Sequence, residues 1–134
     1  MSFVNADILP LESEPDVVKA RQRVRQVATE LKFNLVEQTK LVTAASELAR
    51  NTIIHGKGGA MKLEVLTDGG RTGLRLTFED EGPGIPDIAM AMQDGYTTGS
   101  GLGLGLGGAK RLANQFDIQS EVGKGTRVSI TRWR

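Results

Sequence analysis

The sequence contains no cysteine and only one histidine, His55. The lack of cysteine excludes disulfides and thiolate metal sites and is consistent with a reducing cytoplasm. A single histidine without cysteine also argues against a zinc site. Because His55 lies at the predicted end of a helix, where a cation is favourable, we interpret it as structural.

Long hydrophobic runs and an excess of one charge are also missing. No apolar segment reaches the length of a membrane-spanning helix, and the N-terminus lacks the hydrophobic segment of a signal peptide. The formal net charge is +1, so no strong electrostatic field indicates binding to nucleic acid or to an anionic membrane. We therefore expect a cytoplasmic protein with neither nucleic acid nor membrane as a partner.

Glycine, in contrast, is abundant, with 17 glycines against 4 prolines. The glycines cluster at residues 56–59, 69–73 and 82–108, with a last pair at 123 and 125. Such local clusters predict turns and one glycine-rich functional loop rather than disorder. The length of 134 residues suits one compact domain, residues 1–134.

Hydrophobic periodicity predicts the order strand, helix, helix, strand, strand, helix, loop, helix, strand, strand. The predicted elements are an edge strand at 3–12, helices at 15–31 and 34–55, strands around 61–65 and 74–78, a short helix at 87–92, a helix reaching 116, and strands at 117–122 and 126–133. No strand–helix–strand repeat occurs. The order therefore predicts an α+β fold, a two-layer α/β sandwich with helices on one face of a mixed, mostly antiparallel sheet.

Asp80 follows an alternating apolar run at the end of a predicted strand. Its parity is that of Leu74, Leu76 and Phe78, so its carboxylate is expected on the buried side. The Gly-Pro-Gly segment at residues 82–84 then forbids regular structure. This pattern indicates either a binding pocket or a structural turn in which loop amides satisfy Asp80. Taken alone, the pattern leaves both open.

Glu47 and Asn51 are four residues apart on the second predicted helix, so they share one face. That face borders the apolar stripe, where polar groups are hard to bury without partners. They form either a half-exposed polar pair or a functional pair. In the functional case the carboxylate serves as a base and the amide oxygen as a hard ligand suited to Mg²⁺. Arg50 either adds charge near a phosphate or balances the helix.

A glycine-rich segment at residues 99–108 leads directly into a helix. Backbone amides at a helix N-terminus bind phosphate, and glycines allow close approach. The alternative is a flexible surface loop. Gly103, Gly105 and Gly108 match G-x-G-x-x-G, but no strand precedes them and no acidic residue follows at the required distance, so a Rossmann site is not expected.

Four segments, in order, resemble the sequence boxes of the GHKL (Bergerat-fold) ATP-binding superfamily. They are ELARN at 47–51, DEGPG at 80–84, GLGLG at 101–105 and GT at 125–126. The resemblance covers about residues 40–130.

This resemblance implies ATP and Mg²⁺ as ligands. It implies that Asn51 ligates Mg²⁺ and that Glu47 is the catalytic base or the group that orients the attacking water or hydroxyl. It also implies that Asp80 accepts a hydrogen bond from the exocyclic amine of adenine. Thr126 would assist at adenine through a water molecule. The remaining nucleotide contacts implied are Gly82, Gly84 and Ile85 beside the base, and Gly101, Gly103, Leu104 and Gly105 at the phosphates.

Longer segments resemble one group within the superfamily, the RsbT-type switch kinases of the stressosome. They are SELARN at 46–51, EDEGPGIPDI at 79–88, DGYTT at 94–98 and WR at 133–134. The resemblance implies a serine/threonine protein kinase of a partner-switching stress-response module. Its substrates would be STAS-domain scaffold or antagonist proteins, and on release it would bind and activate a PP2C-type phosphatase.

Two other functions share the same boxes. One is an anti-sigma factor with serine kinase activity, similar to RsbW or SpoIIAB, which sequesters a sigma factor. The other is an ATP-dependent binding module without catalysis. The presence of both Glu47 and Asn51 argues against the second.

Overall fold

The structure is a computed structural model, in which residues 2–85, 88, 92 and 105–134 are described. Five strands and three helices make up this part of the chain. They are β1 (Ser2–Leu11), α1 (Glu14–Glu30), α2 (Leu35–Ile54), β2 (Gly59–Asp68), β3 (Arg71–Asp80), α3 (Gly105–Arg111), β4 (Gln115–Glu121) and β5 (Gly125–Trp133).

The five strands form one sheet in the order β1-β2-β3-β5-β4. All four pairings are antiparallel, which confirms the predicted, mostly antiparallel sheet. β1 lies at one edge, as predicted for a strand that contains Pro10, because an edge strand tolerates a residue without an N–H group.

Both long helices begin where their capping residues predict. Asn34 Oδ1 accepts a hydrogen bond from Glu37 N at 2.8 Å, and Glu37 Oε1 accepts one from Asn34 N at 3.0 Å. This reciprocal pair is a capping box at the start of α2. At the start of α1, Asp16 Oδ2 accepts from Glu12 N at 2.9 Å. The caps therefore fix the chain positions at which the apolar stripes of both helices begin.

The core lies between the helices and one face of the sheet. Leu63, Leu76 and Ile130 are neighbours across β2, β3 and β5 and are at most 1% exposed. Leu41 and Leu48 of α2 belong to the same buried cluster. Burial of each such side chain stabilises the fold by about 1.5–3 kcal/mol. The predicted two-layer arrangement is confirmed.

The opposite face of the sheet is mostly polar, with Leu66 and Trp133 as apolar exceptions. Lys62, Glu79, Asp117, Gln119 and Arg127 are exposed there. This alternation of apolar and polar residues is what holds the register of the strands, because a slip of one residue would exchange the two faces.

The helix predicted to reach residue 116 is wrong at its end. α3 stops at Arg111 and Phe116 lies in β4, paired with Ile130. A tight turn follows the helix, after which Asn114 N donates to Thr131 O at 2.9 Å and Asn114 Oδ1 accepts from Trp133 N at 2.7 Å. The apolar spacing that suggested a helix also fits the strand alternation Phe116, Ile118, and short runs do not distinguish the two.

The helix predicted at 87–92 lies mostly outside the described residues. Within them, Ile88 is helical and Met92 N donates to Ile88 O at 3.0 Å. Among the described helices, none is long and apolar enough to cross a membrane.

Candidate functional site

A row of four residues crosses the sheet at one end of its helix-covered face. The register pairs Asp80 with Gly59 on one side and with Thr126 on the other, and Thr126 with Ser120. Residues paired in an antiparallel ladder point to the same face. The row therefore places the Asp80 carboxylate and the hydroxyl groups of Thr126 and Ser120 on one face, and it confirms that Asp80 lies on the face of Leu74, Leu76 and Phe78.

The half-buried carboxylate of Asp80 has one oxygen bonded within the loop. Gly82 N donates to Asp80 Oδ1 at 2.9 Å. Oδ2 accepts no hydrogen bond from any residue in the described part of the chain. The structural interpretation of Asp80 thus accounts for one oxygen, and the second remains able to accept a hydrogen bond from a ligand.

The end of α2 packs directly against this carboxylate. A Cβ atom on Gly56 would lie 2.2 Å from Cγ of Asp80, and one on Gly82 would lie 2.7 Å from Cα of Gly56. Real Cβ atoms do not approach so closely, so both positions require glycine. The glycine cluster at 56–59 predicted a turn here, and the contact with Asp80 explains why glycine is needed at position 56.

The loop after Asp80 is fixed to the hairpin between β4 and β5. Gly123 N donates to Pro83 O at 2.8 Å. Gly84 has a φ of 79°, and a Cβ there would lie 2.4 Å from Glu121 O. Ile85 N donates to Ser120 Oγ at 2.8 Å. The backbone of the segment 82–85, predicted to contact a ligand, is therefore held beside Asp80 and Thr126.

Ser120 is a residue that the sequence analysis missed. Besides Ile85 N, its Oγ contacts Gly125 O at 3.1 Å and Thr126 Oγ1 at 2.8 Å. The signal was its parity, since Ser120 continues the inward alternation of Phe116 and Ile118 with a polar group.

Glu47 and Asn51 lie one turn apart on α2. Glu47 is 3% exposed and Asn51 is half-buried. Asn51 O accepts hydrogen bonds from His55 N at 2.9 Å and Gly56 N at 3.3 Å. The last turn of α2 therefore connects Asn51 to Gly56, which contacts Asp80. The backbone from Glu47 to Gly56 therefore fixes the positions of Glu47 and Asn51 relative to the carboxylate of Asp80.

The donor set fits a metal held jointly with phosphates. Glu47 and Asn51 offer hard oxygen donors, whereas the described residues contain no group of three or more His, Cys, Asp or Glu side chains that could enclose a metal ion. Mg²⁺ is commonly bound by one or two protein ligands and completes its shell with phosphate oxygens and water. The residues present therefore fit Mg²⁺ with a nucleotide better than a closed protein site.

Arg50 lies against α1. Its Nη2 is 3.4 Å from Glu14 Oε1, in the first turn of that helix. This contact favours the interpretation that Arg50 balances charge between helices, rather than the alternative that it adds charge near a phosphate.

Part of the predicted phosphate-binding loop lies outside the described residues, namely Gly101, Gly103 and Leu104. Gly105 is the first residue of α3, and that helix belongs to the core through Leu106 (7% exposed) and Ala109 (0%).

Comparison with known proteins shows the family. Residues 36–133 match the model of the histidine kinase-, DNA gyrase B-, and HSP90-like ATPases. The chain is 46% identical over 121 residues to the serine/threonine-protein kinase RsbT of Bacillus subtilis, covering 90% of this chain and 91% of that protein. It is 38% identical over 119 residues to the anti-sigma F factor of Clostridium kluyveri, covering 84% of this chain and 82% of that one.

Solved structures have the same fold at low sequence identity. A Mycobacterium tuberculosis protein with RsbU and RsbW domains aligns with a TM-score of 0.66 at 18% identity, over 98% of this chain and 33% of that chain. The mycobacterial sensor histidine kinase MprB aligns with a TM-score of 0.56 at 16% identity, over 96% of this chain and 97% of that chain. The chain therefore belongs to the histidine kinase-, DNA gyrase B-, and HSP90-like (GHKL) ATPase family, in the part of it that includes the serine/threonine-protein kinase RsbT.

Proposed function

We propose that the protein is an ATP-dependent serine/threonine protein kinase of a partner-switching stress-response module. The observation that carries the proposal is the course of α2, which buries Glu47 one turn before Asn51 and is followed at once by Gly56, packed against Asp80. The similarity to RsbT over 90% of the chain supports it. The proposal treats residues 1–134 as one ATP-binding domain, since one sheet takes strands from both ends of the chain.

Asp80 recognises the base in this proposal. Its Oδ2 accepts a hydrogen bond from the exocyclic amine of adenine, and Thr126, opposite Asp80 in the ladder, supports that contact. The backbone of Gly82, Gly84 and Ile85 lies along the base. Asp80 thus provides selectivity for adenine and takes no part in the chemical step.

Glu47 and Asn51 act at the other end of the nucleotide. The hydroxyl oxygen of a partner serine or threonine attacks the γ-phosphorus, the bond to the β–γ bridging oxygen breaks, and ADP leaves. Glu47 orients that hydroxyl and takes its proton. Asn51 would hold Mg²⁺, which supplies neutralisation of the phosphate charge. By the family resemblance, backbone amides at Gly101, Gly103, Leu104 and Gly105 contact the phosphates.

The proposed substrates are STAS-domain scaffold or antagonist proteins of a stressosome in the cytoplasm, and the proposed target after release is a PP2C-type phosphatase. A second candidate is an anti-sigma factor with serine kinase activity. The 38% identity to an anti-sigma F factor supports this second candidate.

The test is incubation of the purified chain with radiolabelled ATP and Mg²⁺, separately with a STAS-domain protein, a sigma factor and a PP2C-type phosphatase. We expect phosphate on the STAS protein and, after its transfer, retention of the phosphatase in a pull-down. Capture of the sigma factor in place of the phosphatase would favour the anti-sigma factor. Absence of phosphate transfer to any STAS partner by a chain that binds ATP would overturn the kinase proposal.

A further inference from the structure

Ser120 occupies a junction of three segments. Its Oγ is 2.8 Å from Ile85 N in the loop after β3, 3.1 Å from Gly125 O at the start of β5, and 2.8 Å from Thr126 Oγ1. Each distance is that of a good hydrogen bond. One hydroxyl on the edge strand β4 therefore links the loop to the hairpin beside Asp80.

The number of protons available to Ser120 Oγ determines which group donates in each of these three hydrogen bonds. A serine hydroxyl has one proton and two lone pairs. The N–H of Ile85 occupies one lone pair of Ser120 Oγ. The carbonyl of Gly125 can only accept, so the Ser120 proton points to it. The contact with Thr126 is then satisfied only when Thr126 donates its own proton to Ser120.

Thr126 consequently has no proton left for a ligand. Its Oγ1 presents only lone pairs, and Thr126 is the residue paired with Asp80 in the ladder, whose Oδ2 is also an acceptor. Two neighbouring acceptors favour a ligand edge with two N–H groups, such as an exocyclic amine. They disfavour a carbonyl at the same place, which would face two lone-pair groups without a donor.

We propose that Ser120 is a specificity-determining positioning residue, which fixes the Thr126 hydroxyl as an acceptor and so selects a 6-aminopurine over a 6-oxopurine. This inference rests on the proposed assignment of the Asp80 region as the base-binding end of an ATP site. Ser120 acts through Thr126 and does not itself contact the base.

The experiment compares the affinities for ATP and ITP, which differ at the 6-position of the purine, measured by calorimetry with Mg²⁺. In Ser120→Ala the Thr126 hydroxyl becomes free to rotate and donate to the 6-oxo group. We expect the preference for ATP over ITP to fall by about fivefold, the effect of one ordinary hydrogen bond. Ser120→Thr retains the hydroxyl and is expected to retain the preference. Gln119→Ala is the matched control, because Gln119 directly precedes Ser120 in β4 and is exposed.

A double substitution separates the positioning role from a structural one. In Thr126→Val no hydroxyl is present to turn, so adding Ser120→Ala is expected to leave the ATP-to-ITP ratio unchanged. A Ser120→Ala protein that loses affinity for both nucleotides equally would overturn the inference, because loosening of the loop alone predicts that result. Ser120→Cys, of similar size but with weaker hydrogen bonds, gives the same comparison if thermal melting shows Ser120→Ala to be unfolded.

The wild-type measurement distinguishes failure of the inference from failure of the proposed function. A folded wild-type chain that binds neither nucleotide would overturn the proposed ATP site itself. Wild-type binding of ATP, with the ATP-to-ITP ratio unaffected by Ser120→Ala, would overturn only the role assigned to Ser120.

Discussion

Cα of Gly56 lies so close to the carboxylate of Asp80 that a Cβ atom on residue 56 would be 2.2 Å from Cγ of Asp80. The C-terminal end of α2 thus limits where this carboxylate can lie. Because the same helix carries Glu47 and Asn51, the proposed chemical and base-binding ends of the site share one rigid support.

Gly56→Ala tests this relationship. The added methyl group must displace the Asp80 side chain, and we expect ATP affinity to fall about tenfold or more, through loss of a hydrogen bond to a charged group. Calorimetry with ATP and Mg²⁺ measures the affinity, and circular dichroism checks the fold. If the effect passes through Asp80, Gly56→Ala causes little further loss in an Asp80→Asn background. If the losses of ATP affinity caused by Gly56→Ala and Asp80→Asn were fully additive, Gly56→Ala would not act through Asp80.

Asp80→Asn is expected to lower ATP affinity by about 10- to 100-fold. The amide can turn an N–H₂ group toward the adenine amine, which replaces a charge-assisted hydrogen bond by two opposed donors. Asp117→Asn is the matched control, because Asp117 is an exposed carboxylate on β4. Equal ATP affinities of the wild type and Asp80→Asn would rule out Asp80 as the adenine contact.

The placement of Asp80, Glu47 and Asn51 was predictable because local patterns determine it. Strand parity assigns Asp80 to the helix-covered face, and a spacing of four residues assigns Glu47 and Asn51 to one side of α2. The capping box at Asn34 likewise fixes the start of that helix through neighbouring residues alone.

The contributions of Gly56 and Ser120 could not be predicted in this way, since they depend on contacts between distant segments. Gly56 is required by the carboxylate of Asp80, 24 positions further along the chain, and Ser120 contacts Ile85, 35 positions earlier. The end of α3 was also ambiguous, because the spacing of Ala109, Ala113 and Phe116 fits a helix whereas the ladder bonds of Asn114 already belong to the sheet.

Glu47→Gln is expected to lower phosphate transfer by about 10²- to 10⁴-fold, the usual contribution of a general base. ATP affinity should stay within about threefold, because the amide preserves the volume of this buried side chain. Radiolabelled phosphate transfer to a STAS-domain protein measures the first quantity and calorimetry the second.

Glu64→Gln is the control for Glu47→Gln. Glu64 is also buried, at 6% exposure against 3% for Glu47, but it lies in β2 and pairs with Lys62 at 3.6 Å. If phosphate transfer fell as much in Glu64→Gln as in Glu47→Gln, the loss would be a general result of removing a buried carboxylate. Near-normal transfer by Glu47→Gln would exclude Glu47 as the base.

Arg50→Gln is expected to leave ATP affinity within about twofold. The side chain pairs with Glu14 at 3.4 Å, and the Glu14 side chain is 65% exposed, so the ion pair stabilises the fold by about 1 kcal/mol or less. Glu14→Gln removes the other partner and should lower the free energy of unfolding by a similar amount. A tenfold loss of ATP affinity in Arg50→Gln alone would instead place Arg50 near the phosphates.

Gly125→Ala and Gly123→Ala form a pair that separates close packing from backbone strain. Both glycines have positive φ, 108° at Gly125 and 82° at Gly123. A Cβ on Gly125 would lie 2.1 Å from Asp80 O, whereas one on Gly123 would meet nothing within 4 Å. Alanine at 123 therefore introduces only strain, of about 1–2 kcal/mol. Alanine at 125 adds displacement of the β3 backbone, for which we expect a total loss of about 3 kcal/mol or more.

Urea denaturation of both variants measures this difference as a change in midpoint at constant slope. Because the displaced carbonyl belongs to Asp80 itself, folded Gly125→Ala protein should also bind ATP more weakly, whereas Gly123→Ala should bind it normally. Equal destabilisation by the two substitutions would mean that the β3 backbone at Asp80 can move aside with no loss of free energy of unfolding. The base-binding end of the site would then be less rigid than the contacts between Gly125 and β3 indicate.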